Sequence, residues 1–178
     1  MTAELKIRLR AETGMRRLLE IKAAPADMRV ERSAGITVET GVLVRGDGTR
    51  LAYRMRRKDG EPAAVRPVLA LPEGLDAAAA EDRAARYLSQ WRTVMTALPR
   101  PDDGTVETLA RRAEDALALA RLLSHRNAGK TVEVYAHGGA VPAAALMMAL
   151  ERPYFSFLTA ENPPPPRPGW PKWEALAK

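Results

Sequence analysis

From Ala3 to Lys22 the aliphatic residues Leu5, Leu9, Met15, Leu18 and Leu19 recur near helical spacing, and Gly14 interrupts them, which predicts a broken amphipathic helix. Pro25 and a polar stretch from Arg29 to Gly35 follow. Residues 1–35 therefore read as a helix plus linker, packed on the outside of the domain or against another chain. The pattern then changes. Ile36 to Val44 and Arg50 to Met55 have strand character, and they are joined by Arg45-Gly46-Asp47-Gly48-Thr49, whose Asp-Gly pair marks a hairpin turn. Beyond the charged loop Lys58-Asp59-Gly60-Glu61-Pro62, the apolar run Val65 to Leu71 predicts a buried strand that stops at Pro72-Glu73-Gly74.

Helices and strands alternate from there on. Leu75 to Trp91 is Ala-rich helix composition, and Arg92 to Leu98 is β-branched and apolar. After a Pro-rich loop at residues 99–104, Val106 to His125 has helical period through Leu109, Ala113, Ala116, Leu117, Ala120 and Leu123, and ends at Asn127 and Gly129. Thr131 to Tyr135 is a short strand, Ala136 to Ala140 a small-residue turn, and Val141 to Leu150 an apolar helix with Pro142 in its first turn. Phe155 to Ala160 is a last strand. The run Pro163 to Pro166 cannot join a sheet ladder, so residues 163–178 form a peripheral proline-rich tail that Trp170 and Trp173 are placed to dock. This order predicts an α/β domain over residues 36–162: a mostly parallel sheet with helices on both faces and an N-terminal β-hairpin.

Composition narrows the chemistry. Hydrophobic residues make up 46% and charged residues 28% of the 178, the balance of an ordered globular chain. With no cysteine, disulfides, thiolate catalysis and Cys-based metal centres are excluded, and His125 and His137 are the two imidazoles. Neither a metal nor a cofactor is expected. Met1 to Arg10 holds no apolar run of signal-peptide length and no later stretch is long enough for a membrane span, so the expected location is cytoplasmic with no membrane partner. A formal charge of +6 would favour phosphates if it were concentrated on one face. However, Arg16-Arg17, Arg54, Arg56-Arg57-Lys58 and Arg111-Arg112 are dispersed and aromatics are only 5%, which favours a solvated Arg-rich surface over nucleic-acid binding.

Four segments, taken in order, resemble the α/β-hydrolase superfamily between about Ile36 and Pro166. Arg45-Gly46-Asp47-Gly48-Thr49-Arg50-Leu51-Ala52-Tyr53 looks like the opening hairpin of those enzymes. Val68-Leu69-Ala70-Leu71-Pro72-Glu73-Gly74 stands where the family has a strand running into its His-Gly oxyanion loop. Thr131-Val132-Glu133-Val134-Tyr135-Ala136-His137-Gly138-Gly139-Ala140 is similar to the strand that leads into Gly-His-Ser-x-Gly. Phe155-Ser156-Phe157-Leu158-Thr159-Ala160-Glu161-Asn162-Pro163 is similar to the next family strand with its Asn-Pro ending.

The departures from the family pattern bear on function. Gly138 occupies the position where the family carries serine, and a second register through Val134 places Ala136 there, so neither offers a hydroxyl, thiol or carboxylate. The family's general base is a late histidine. None follows His137, and the chain ends about where the family begins its lid and final strands, so that base is expected to be absent. The resemblance thus implies an α/β-hydrolase-like protein covering the front part of the fold, with a degenerate nucleophile turn.

Gly74, His137, Gly138 and Gly139 form the candidate ligand-binding set, because backbone N–H groups at such a turn can hold a small molecule or an anion. The same glycines also serve simply to let strand and helix pass closely. His137 and Glu161 are the candidate catalytic residues, Glu161 standing at the strand end where ligands gather in open α/β sheets. Glu73 argues against acyl transfer, since a carboxylate repels a developing oxyanion. The functional expectation is a non-catalytic binding, regulatory or scaffolding protein. Two alternatives stand beside it: an esterase- or peptidase-like hydrolase completed by a partner chain, and a basic nucleic-acid-binding protein. A half-sheet ending at Pro163 leaves a strand edge, so a homo-oligomer or a hetero-partner completing the sheet is expected.

Overall fold

A computed structural model describes residues 2–60, 62 and 65–170; Glu61 of the charged loop and Trp173 of the tail lie outside the described residues. Helix α1, Ala3–Thr13, is capped by Thr2 and ended by Gly14 in the left-handed conformation (φ 67°). Four strands follow: β1 Ala23–Ser33, β2 Ile36–Arg45, β3 Arg50–Lys58 and β4 Val68–Leu71. Asp76 caps α2, Ala77–Ser89, which leads to β5, Val94–Ala97. Thr105 caps the long α3, Val106–Arg126. Then come β6 Val132–His137, α4 Val141–Leu150 and β7 Phe155–Glu161.

The strands make one sheet in the order β1-β2-β3-β5-β4-β6-β7. β4 to β7 run parallel to one another, while β1, β2 and β3 are joined antiparallel and β3 meets β5 antiparallel. The α/β class, the hairpin of β2 and β3 and the helices on both faces match the sequence pattern. One face carries the main core, in which Leu117, Leu119 and Leu123 of α3 and Leu146 and Met147 of α4 are fully buried. On the other face α2 covers a smaller cluster through Ala84, with Tyr87 packed beside Tyr135, Val68 and Val94. Each helix stripe is apolar where it meets the sheet, and that burial is the main driving force for the layered arrangement.

Three expectations are corrected. The segment read as a linker contains β1, an 11-residue strand along the sheet edge. Because it pairs on one side only and both faces are largely exposed, charged residues suffice there. An irregularity between Ala26 and Arg29 also breaks the alternation that would have revealed it. The predicted helix to Lys22 ends at Thr13, and Leu9, Met15 and Ile21 of this N-terminal segment join the main core rather than an outlying surface. The arginines are not all a solvated surface: Arg45, Arg56 and Arg112 are buried.

The buried arginines are paired. Arg45 at the end of β2 bonds Glu114 and Asp115 of α3, each at 2.5 Å. Arg100, after β5, reaches Asp115 through Nε and Nη2, both at 2.9 Å. The backbone N–H of Arg16 donates to Glu114 at 2.8 Å. One ion cluster therefore ties the hairpin, the loop after β5 and the N-terminal segment to α3. Past β7 the described residues make no ladder, yet Trp170 docks, donating from Nε1 to the Gly104 carbonyl at 3.1 Å, while Arg167 pairs with Asp102 at 3.0 Å.

Candidate functional site

The chain reverses its direction of travel across the sheet at β4. From β4 it crosses to β5 on one side, and β6 then pairs on the other side of β4. The loops leaving β4 and β6 lead to helices on opposite faces, yet at the strands' carboxyl ends, the usual ligand position in such sheets, they are packed against each other. The loop after β4 is Pro72-Glu73-Gly74, and the turn after β6 is Gly138–Ala140, a single 3-10 turn feeding α4.

This turn is a sharp bend with a glycine at its tip. His137 is still extended (φ −123°, ψ 146°), whereas Gly138 is left-handed at φ +57°. A β-carbon on Gly138 would lie 2.6 Å from the Glu73 carbonyl oxygen, inside contact distance of backbone that has no free end to move aside. A β-carbon on Gly139 would meet the Glu73 carboxylate at 3.0 Å. The close approach of the β4 loop backbone thus requires glycine at 138, whereas at Gly139 the Glu73 side chain would have to give by a few tenths of an ångström.

His137 is 8% exposed and both ring nitrogens are engaged. Nδ1 lies 2.8 Å from the Glu73 carbonyl oxygen and Nε2 lies 2.8 Å from Nδ2 of Asn162. A carbonyl can only accept, so the arrangement assigns the proton to Nδ1 and leaves Nε2 to accept from the amide. In that state the imidazole has no nitrogen left over for a substrate. It acts as a strut between the β4 loop and the end of β7.

Glu73, the carboxylate that argued against acyl transfer in the sequence, is ion-paired. Its Oε2 accepts from Nη2 of Arg112, which is 1% exposed and also donates to the Gly139 carbonyl at 3.0 Å and, through Nη1, to the Arg100 carbonyl at 2.9 Å. The Glu73 charge is neutralised by Arg112 of α3. Glu161, paired in register with His137, takes other partners: Tyr135 donates its hydroxyl at 2.9 Å and Arg83 donates at 2.7 Å. Burial, and then the hydrogen bond to Glu161, push the Tyr135 hydroxyl up to about 12 against the pull of Arg83, so it stays protonated as a donor.

Gly74, His137, Gly138 and Gly139 are therefore brought together around Glu73: a β-carbon on Gly74 would lie 3.8 Å from His137 Nδ1. His137 and Glu161 sit side by side on neighbouring strands but are bonded to different groups. Sequence reasoning missed Arg112 and Asn162. Arg112 falls on the buried side of a helix whose Ala and Leu spacing marks that side, and Asn162 was visible only as part of the Asn-Pro strand ending. Among the described residues no group of His, Asp or Glu is placed to hold a metal ion, and no helix is long and apolar enough to cross a membrane.

The sheet order, the bend after β6 and the helices on both faces are those of the α/β-hydrolase fold, and solved structures similar to this chain are esterases and peptidases of that fold. A putative acetyl xylan esterase from Bacteroides fragilis is similar over 86% of this chain and 51% of its own, with a TM-score of 0.66 and 8% identity. A cold-adapted esterase from an Arctic intertidal metagenomic library is similar over 77% of this chain and 63% of its own, with a TM-score of 0.56 and 11% identity. Acetyl xylan esterase 1 from Thermoanaerobacterium matches over 90% of this chain and 57% of its own, with a TM-score of 0.53 and 15% identity. The chain thus spans about half to somewhat under two thirds of the length of these enzymes. No protein-family model and no curated protein matches the chain.

Proposed function

We propose that this chain is an α/β-hydrolase-like protein that acts by binding, as a regulatory or scaffolding subunit, and not by acyl transfer. The observation that carries this reading is the bend after β6. Its tip is Gly138, and the Glu73 carbonyl stands 2.6 Å from where any side chain would begin. The engagement of both His137 nitrogens supports it further, because a triad needs an imidazole free to take the nucleophile's proton. A ligand at Gly74, His137, Gly138 and Gly139 meets an anion position already taken by the protein's own Glu73 carboxylate, held by Arg112. An acidic ligand has to displace that carboxylate, so a neutral or weakly polar group suits this end of the sheet better. The outer edge of β7, unpaired among the described strands, fits a partner strand from another chain. A cytoplasmic location is part of the same proposal.

Exposure to a fluorophosphonate, followed by intact-mass measurement, tests the reading. These reagents phosphonylate the activated serine of hydrolase sites. The expected spectrum is that of the unmodified chain. A stoichiometric adduct that disappears in His137→Ala overturns the reading.

A further inference from the structure

We infer that β1 is a self-pairing edge, through which two copies of this chain join their sheets about a two-fold axis centred on Val30. The inference is independent of the chemistry at the bend after β6. It rests on which backbone groups of β1 face outward and on the order of charges along it.

Among the described strands β1 is the last on its side of the sheet. It meets β2 through the two-residue turn Ala34-Gly35, both left-handed at φ 49° and 74°, with Ser33 opposite Ile36. A two-residue hairpin of this kind closes on a hydrogen-bonded pair, and such pairs alternate with non-bonded ones along an antiparallel ladder. Ser33, Glu31 and Arg29 therefore point their N–H and C=O groups at β2. Val30, opposite Glu39, and Arg32, opposite Thr37, point theirs outward.

An isolated edge is commonly kept from pairing by charges, proline or a bulge; in β1, Pro25 and the irregularity between Ala26 and Arg29 protect the first half, and the self-pairing segment lies beyond them. Here the signs alternate about an apolar residue: Arg29, Val30, Glu31. In an antiparallel pair centred on Val30, the two Val30 residues exchange both outward hydrogen bonds. Arg29 then stands directly opposite Glu31 of the second copy, and Glu31 opposite the second Arg29, giving two attractive cross-strand pairs. On the other face Val30, 57% exposed, meets its own copy, flanked by Met28, 48% exposed, facing Arg32 of the second copy. Centring the pair on Arg32 instead sets two arginines against each other. Shifting it the other way runs into Asp27, which is left-handed at φ 51° and already bonded to Arg50 at 2.7 Å. Backbone direction and charge therefore select the same register.

Sedimentation equilibrium of the full chain and three variants tests this. The wild type is expected to dimerise in the micromolar range. Glu31→Arg and Arg29→Glu each replace two attractive pairs by repulsive ones and are expected to weaken the dimer about tenfold or more. The double variant Arg29→Glu/Glu31→Arg restores opposite charges in the same register and is expected to recover wild-type association. Far-UV circular dichroism of the variants reports that each is folded. Val30→Pro adds a second line, since it removes an outward N–H that β2 does not use. A wild type that stays monomeric through the micromolar range, a dimer indifferent to the single variants, or a double variant as weak as the singles overturns the inference.

Discussion

Asp115→Ala is expected to destabilise the fold by about 3–5 kcal/mol, the usual cost of leaving a buried charge without its partner. Asp115 is fully buried and is the point on which two arginines converge, Arg45 at 2.5 Å and Arg100 through both Nε and Nη2 at 2.9 Å. It also accepts the backbone N–H of Arg100 at 3.1 Å. Removing the carboxylate leaves the Arg45 guanidinium, whose side chain is 2% exposed, with Glu114 at 2.5 Å and Asp47 at 3.8 Å, and with Nε already unpartnered among the described residues. A surface pair sets the scale for comparison. Arg8 and Glu12 lie 2.7 Å apart, but their side chains are 76% and 50% exposed, and Glu12→Ala is expected to leave the urea midpoint essentially unchanged. Urea unfolding of the two variants side by side checks the contrast. Equal losses would mean that the cluster is not the tie between hairpin, β5 loop and α3 described above.

Gly138→Ser, which writes the family's serine back into the bend, is expected to destabilise the protein and to give no esterase. Its β-carbon would fall 2.6 Å from the Glu73 carbonyl oxygen, so the β4 loop must shift. A side chain at φ +57° adds backbone strain. Together these are expected to cost roughly 2–4 kcal/mol, read as a lower urea midpoint at unchanged slope. Moving the loop would also disturb the bond from His137 Nδ1 to the same carbonyl, so the histidine loses its support as the serine arrives. A Gly138→Ser variant as stable as the wild type would show that the β4 loop yields easily. If such a variant also hydrolysed esters, the bend would be one residue from activity.

Much of this architecture was legible in the residues because helix and strand periods are local signals. The Ala and Leu spacing of α3, the Asp-Gly turn between β2 and β3, and the apolar run of β4 each mark their elements before any contact is known. The glycines of the bend were equally legible, since small residues between an apolar strand and an apolar helix have few other uses. β1 was not, because an edge strand buries little and its irregularity between Ala26 and Arg29 hides the period of two. Arg112 and Asp115 were hidden for a different reason. Charged residues on a helix read as its wet side, and what makes them interior here is the arrival of Glu73, Arg45 and Arg100 from distant parts of the chain. The partners of His137 were hidden likewise: one is a loop carbonyl and the other a side chain 25 residues away.

The central claim is that the bend after β6 carries only backbone at its tip, with its histidine already committed. Steady-state hydrolysis of short acyl esters by the wild type, measured beside His137→Ala, tests it most directly. The account predicts that both proteins match the uncatalysed rate. Saturable turnover by the wild type that is lost in His137→Ala, with the variant still folded, would contradict it.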